Sequence, residues 1–599
     1  MITALTKQIT TSLAQFSSAT RLYSLTLGQG GADLGSGGLL VEAFAADDAV
    51  QELGARDVIV VSTSAHVELE PLLGQSASLE VTLADGTRTS FGGDISQVAM
   101  LGSEGGLARY RLRISPWMWR LGQVRNSRAW QDKTVIEIID SVFESYLPLA
   151  RWRWSDEVGP FMDAAMARSY CCQYRESDLD FVRRILAEEG LCWCFEQTGE
   201  GPGVVLFADS SQLSAVPEDA SSESDGGIRY HGARSVESQD TVQALMAQRR
   251  IHASLATVLS YDYKARQAVA ASTPSHEPNG AALPALESYD APGQYAYANR
   301  AQAQRYADLQ MQAKEARGQL WRGRSTVRTL RAGTRMTVLG APLRLLGGSA
   351  AFTIVRVTSV GVNNMPPPAQ QALAELFGPI PELLQQIMRV DEPEDFGLAI
   401  AQARETGYAN CFEAVDADVP WRAQLSGSDG RSHSKPTASG AQSAIVIGAD
   451  GADIPSGADE LYCDRLGRVR IRFHWQDSGD AACWVRVAQR LAGGGMGSQF
   501  LPRIGQEVLV QFIENDIDRP IIVGALYNGL GEGGVAPTPG GRGDAESQAS
   551  RFKPAHDHAP SAQGNLAGGN SPLWHGASGD SAGHRNGAAQ WGVRSKEFG

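Results

Sequence analysis

Asp464-Arg-Leu-Gly-Arg-Val-Arg-Ile-Arg-Phe-His-Trp475 is the stretch on which the fold turns. Val469, Ile471, Phe473 and Trp475 alternate with Arg468, Arg470, Arg472 and His474. Successive side chains of a strand point to opposite faces, so this period of two predicts one apolar and one cationic face on a half-buried strand. Ala444 to Gly448 precedes it, and Trp484 to Ala488, Glu507 to Ile513 and Pro520 to Ala525 follow, the last running into the turn signal Tyr527-Asn-Gly529. Five short strands with no helical period between them suit a small closed barrel of the OB type, filled by side chains and leaving few edges open.

Working outward, four blocks stand in order: Asp464 to Trp475, Cys483-Trp-Val-Arg-Val487, Phe500-Leu-Pro-Arg-Ile-Gly-Gln-Glu-Val508, and Asp516-x-Asp-Arg-Pro-Ile-Ile-Val-Gly524 with Tyr527-Asn-Gly529. Together they resemble the OB module of the valine-glycine repeat protein G (VgrG) family. That family supplies the trimeric spikes of type VI secretion systems and is similar to the hub and needle of contractile phage tails. Upstream, Gln173-Tyr-Arg-Glu-Ser-Asp178 to Glu188-Glu-Gly190 resembles the part of that family that is like the phage hub.

At 599 residues the chain predicts roughly four domains. A net charge of −14 excludes a chain devoted to nucleic acid or an anionic membrane, because phosphate binding needs a concentrated positive field. Met1 to Thr10 lacks the basic segment and apolar core of a signal peptide, and no run approaches the roughly 20 apolar residues of a membrane span. Seven scattered cysteines suit a reducing compartment better than a disulfide framework. The expectation is a protein that folds in the cytoplasm and leaves the cell only if a machine carries it.

From Arg21 to Pro116 alternating runs such as Arg56 to Val61, Ala77 to Leu83 and Arg109 to Ile114 predict barrel or sandwich strands. Thr134 is placed to cap a helix over Val135 to Phe143. Ser177, with Asp180 three residues on, caps a helix whose apolar stripe is Leu179, Val182, Ile185 and Leu186 and which Gly190 ends. A Gly, Ser and Asp-rich gap near 221–227 reads as a break. A helix over Tyr297 to Gln319 and strands over Thr257 to Tyr263, Thr334 to Leu339 and Phe352 to Val360 follow. The fold class is mainly β. The domain reading is a hub-like tandem β-barrel region over 1–423 with a helical insertion at about 363–405, a linker over 424–440, the OB barrel over 441–530, and a Gly, Pro and Ser-rich linker over 531–590. By the resemblance, 591–599 is the base of a trimeric β-needle.

Several residue groups invite chemistry. Cys171, Cys172, Cys192 and Cys194 flank one helix, but neither the adjacent pair nor the Cys-x-Cys spacing is that of a zinc site, and small apolar core residues are the plainer reading. His556-Asp-His558 reads as solvated loop. Gly579-Asp-Ser-Ala-Gly583 has the letters of a nucleophile elbow without a strand before or a helix after. Glu188 and Glu189 are adjacent on a helix, about 100° apart, and cannot readily flank one glycosidic bond; Arg184 is spaced to pair with Glu188. Gly493-Gly-Gly495 lacks the Lys and helix of a phosphate cradle. The cations of Arg468 to Arg472 lie opposite Phe473 and Trp475, which weakens a nucleic-acid groove and favours a solvated or subunit-contacting face. The residues therefore predict no catalytic, cofactor or metal site.

The resemblance implies a homotrimer seated on the tube of the haemolysin-coregulated protein (Hcp), joined to a baseplate and tipped by a Pro-Ala-Ala-Arg-repeat (PAAR) protein. It implies effectors and adaptor or chaperone proteins as cargo, no nucleic acid, and export through the secretion machine. Two other classes stay open: a spike with an enzymatic effector domain beyond residue 599, and an OB-fold nucleic-acid-binding protein.

Overall fold

The computed structural model describes residues 9, 20–28, 38–63, 67–198, 201–231, 239–263, 265–276, 283–341, 349–388, 393–423, 436–454, 460–476, 482–494 and 496–526. The chain divides into two compact units. One comprises Met1–Arg125, Thr134–Met166 and Ser177–Ser434; the other comprises Asn126–Lys133, Ala167–Glu176 and Lys435–Gly599.

The first unit is organised by a twelve-stranded sheet. Ala55–Ser62 is buried on both faces, pairing antiparallel with Leu40–Ala49 and Leu107–Ser115. Tyr23–Leu27, Ser76–Thr82 and Arg88–Glu104 extend the sheet beyond Leu107–Ser115. Past Leu40–Ala49 the order continues through Ser349–Val362, Tyr408–Asp416, Gln319–Ser325 and Val242–Arg249.

Two cores form on this one sheet. Val58, Val60, Leu79, Tyr110 and Leu112 belong to the first, and Trp321, Met336, Val338, Phe352 and Phe412 to the second. Where tandem barrels are expected within 1–423, one sheet carries the two cores, and among the described residues the closed barrel lies in the second unit. Ser349–Val362 joins them, pairing with Leu40–Ala49 on one side and Tyr408–Asp416 on the other. Gly361 permits this close passage, since a Cβ there would lie 2.1 Å from the Phe44 ring.

Helices decorate the sheet where local sequence allows a start. Val135–Glu144 begins with a full capping box between Thr134 and Glu137. Asp178–Glu188 begins at Ser177, whose hydroxyl accepts from the Asp180 amide, and Gly190 follows at φ 73°. Leu179, Val182, Ile185 and Leu186 are all buried, as their spacing predicts. Arg300–Gly318 packs through Ala303 and Ala307 onto Val258, Val269 and Ala271 of a separate three-stranded sheet. The stretch 221–227, a break by composition, instead folds as helix Ala220–Asp225, because Asp219 caps its first amides.

The insertion forms three helices, Pro367–Phe377, Ile380–Ile387 and Pro393–Thr406. Leu384, Phe396, Ala399, Ile400 and Ala403 cover Ala43, Ala45, Ile59, Val360 and Ala409 of the sheet. Small alanines on the strands let the helices approach closely, so the insertion supplies a second apolar layer.

In the second unit, Gln442–Ile447, Val469–Phe473, Cys483–Val487, Pro520–Leu526 and Glu507–Phe512 close into a barrel in that order. Val446, Val469, Ile471, Phe473, Val485, Val508, Val510 and Ile522 fill it. Phe473 stacks on Trp475 with centroids 5.2 Å apart. Two segments that the sequence places in the 1–423 region pack here instead, as the ribbon of Arg125–Trp130 against Cys171–Ser177. Tyr170, Cys172 and Tyr174 share one strand face and join the barrel core, and the Cys172 amide donates to the Asp518 carboxylate at 2.7 Å. Of the linker expected at 424–440, residues 424–435 lie outside the described residues, while Ala438 packs in the barrel core; the linker at 531–590 and the needle base at 591–599 also lie outside them.

Candidate functional site

The opening barrel strand presents its cations outward, as the alternation requires: Val469, Ile471 and Phe473 are buried while Arg470 and Arg472 are half-buried. Each cation finds a partner within its own unit. Arg468 Nε donates to Asp464 at 2.7 Å, Arg472 to Asp453 at 3.0 Å, and Arg470 to the Ala449 carbonyl at 3.3 Å. Burial works against the Asp464 carboxylate, but hydrogen bonds from the Arg468 backbone and side chain hold its pKa below the ordinary value.

Sequence parity missed one neighbour. Register places Trp484 opposite Arg470, and Tyr462 packs on Trp484 at 5.2 Å between centroids. The signal was present in Cys483-Trp-Val-Arg-Val487, whose inward Cys483 and Val485 send Trp484 and Arg486 out.

The four cysteines do not form one set. Cys171 and Cys172 sit in the ribbon of the barrel unit, whereas Cys192 and Cys194 lie on one strand of the hub unit. Among the described residues no two cysteines form a disulfide. Burial pushes the Cys192 thiol up to about 11 and the Cys194 thiol up to about 12, which keeps both protonated and poor as ligands or nucleophiles.

Glu188 and Glu189 turn to different partners. Glu188 accepts from Arg184 at 3.4 Å, while buried Glu189 accepts from Arg305 at 2.7 Å and from the Tyr306 hydroxyl at 2.8 Å. Glu189 thereby ties helix Asp178–Glu188 to helix Arg300–Gly318, a structural task. The Gly493 region forms a short exposed ribbon, Ala492–Gly493 with Met496–Gly497. The elbow-like Gly579 to Gly583 and His556 and His558 lie outside the described residues.

Around that ribbon Leu491, Met496 and Phe500 are exposed, Phe500 by 73%. An apolar cluster left in water at one loop marks a contact surface. In the hub unit the sequence reading also missed a small cleft beside Phe91, which Arg56 and Arg331 line. Its residues come from several separate strands and loops, so no local motif announces it.

Comparison with known proteins accords with this architecture. The model of the phage tail baseplate hub (GPD) family matches residues 47–365, more than half of the chain. That of the type VI secretion system/phage-baseplate injector OB domain matches residues 459–527, which hold four of the five barrel strands. Type VI secretion system spike protein VgrG1b of Pseudomonas aeruginosa is 27% identical over 501 residues, 80% of this chain and 57% of that protein. VgrG1a of the same organism is 27% identical over 508 residues, 83% of this chain and 68% of that protein. The chain thus spans between about half and two thirds of such relatives.

In fold, the chain matches an E. coli component of the type VI secretion system, described as similar to the T4 bacteriophage tail proteins gp27 and gp5. The TM-score is 0.53 at 18% identity, covering 84% of this chain and 99% of that one. With a hub sheet matched across more than half its length and a closed OB barrel after it, the chain belongs to the phage tail baseplate hub family, in the VgrG group of type VI secretion spike proteins.

Proposed function

We propose that this chain is the spike of a type VI secretion machine: a homotrimer that caps the Hcp tube at the baseplate, carries a PAAR-repeat tip and effectors with their adaptors, and is driven through a target envelope. The order of its parts carries the reading, a broad hub sheet followed by a narrow closed barrel. The exposed Leu491, Met496 and Phe500 beside the barrel support association, because a lone subunit leaves them in water.

The role is mechanical rather than catalytic. Glu188 and Glu189, the acidic pair most suggestive of chemistry, are each engaged by a structural arginine. Nucleic acid is a poor partner, since the barrel arginines are already paired and the chain carries a net charge of −14. The protein assembles in the cytoplasm and leaves through the machine it tips. Among the described residues no helix is long and apolar enough to cross a membrane.

Deleting the gene in a strain with an active machine should abolish release of Hcp into the medium, and plasmid-borne wild type should restore it. The full-length product should have the mass of three chains in solution. Undiminished Hcp release from the deletion strain would overturn the reading.

A further inference from the structure

We propose that the cleft beside Phe91 in the hub unit is a binding site for a single carboxylate group, with Arg331 as its anchoring residue. The guanidinium carbons of Arg56 and Arg331 lie 4.2 and 4.4 Å from the centroid of the Phe91 ring. Three acidic residues share the cleft, and each already has its own arginine. Asp48 accepts from Arg56 at 2.6 Å, Glu52 from Arg183 at 2.7 Å, and Glu196 from Arg153 at 2.7 Å. Arg331 is left over.

Among the described residues Arg331 makes no ion pair. Its hydrogen bonds reach only the Thr89 hydroxyl at 3.3 Å and the Ser90 carbonyl at 3.5 Å, both long for a charged donor. Asp48 and Asp219 act on this half-buried cation only from beyond ion-pair distance, so no carboxylate engages its fork directly. Burial, with Arg56 beside it, pushes the Arg331 pKa down to about 10 against the opposing pull of Asp48 and Asp219, and it stays charged at neutral pH.

A guanidinium fork matches the two oxygens of a carboxylate. Phe91, Pro116, Phe195 and Pro202 provide apolar walls for the carbon attached to it. A phosphate fits less well: its second negative charge would face Asp48, Glu52 and Glu196 with no further arginine free. Two sources present the same chemistry, a free short organic acid and an Asp or Glu side chain of another copy of this chain.

The test uses the full chain, wild type and Arg331→Gln. Thermal unfolding is followed while sodium acetate replaces sodium chloride at constant ionic strength. If free acids bind, acetate raises the wild-type midpoint saturably and leaves Arg331→Gln unmoved, while Arg331→Lys, lacking the fork, responds at least several-fold more weakly. If another copy supplies the group, acetate has no effect, but Arg331→Gln weakens self-association by tenfold or more in sedimentation equilibrium. Without acetate, Arg331→Gln should melt at or above the wild-type temperature as a single chain, because a stranded charge has been removed. A lower midpoint for Arg331→Gln with neither an acetate response nor a change in association would assign Arg331 to packing alone and overturn the proposal.

Discussion

Arg109 donates to Glu42 at 2.8 Å with both side chains almost wholly buried, and the same guanidinium reaches the carbonyls of Phe377 and Gly378 at 3.0 and 2.9 Å. One residue of the hub sheet thus holds the end of the first insertion helix. Arg109→Met should cost about 3–5 kcal/mol, since it strands the Glu42 carboxylate and the helix-end carbonyls. Glu42→Leu combined with Arg109→Met should recover much of that loss. Unfolding midpoints for the two single variants and the pair give the coupling, and hydrogen exchange over 367–406 should rise in Arg109→Met.

Phe473 stands inside the barrel, stacked on Trp475 and 5.9 Å from the Phe512 ring. Phe473→Ala should destabilise the barrel unit by about 3–5 kcal/mol through the cavity it opens. Arg472→Ala, on the outer face of the same strand, should cost less than about 1 kcal/mol, because its Asp453 partner is half exposed. Denaturant unfolding of both variants tests the contrast, and equal losses would contradict the assignment of inner and outer faces.

Asp219 accepts from the amides of Ser221 and Ser222 and from the Thr329 hydroxyl at 2.7 Å, yet burial outweighs these bonds and raises its carboxyl pKa. The folded chain therefore binds this proton more tightly than the unfolded chain. The contribution to stability is fully present below the ordinary carboxylate range of about 4 and is lost as pH rises through the raised value. Asp219→Asn keeps the acceptor without the charge, so its melting midpoint should gain on wild type as pH rises above about 4. Asp219→Ala should instead lose about 1 kcal/mol with its helix cap.

Cys192 and Cys194, protonated by burial, should resist alkylation in the native protein at pH 8 and react fully once it is unfolded in urea. Timed iodoacetamide labelling read by mass spectrometry checks this. Rapid native labelling at either position would show a thiol that opens to solvent.

The barrel was legible because its signal is local. Val469, Ile471 and Phe473 declare a face by alternation, and the barrel they line closes in the structure with the strands expected of it. The helix after Ser177 was equally plain from cap, stripe and terminal glycine. The short helix after Asp219 was hidden because Gly and Ser composition speaks for a break, while a single carboxylate cap decides otherwise.

Alternation, capping and block order, all readable within a few residues of one another, determined the strands, the helices and the kinship of the hub and barrel. Long-range pairing decided the rest. Ser349–Val362 had to find both Leu40–Ala49 and Tyr408–Asp416 before the two hub cores could share a sheet. The ribbon carrying Cys172 had to meet Asp518, 346 positions away, to join the barrel core. Arg331 is left without an ion pair because folding gave Asp48, Glu52 and Glu196 to other arginines and Asp219 to a helix cap. Such outcomes depend on which distant groups compete for the same partner, and a linear pattern carries no record of that competition.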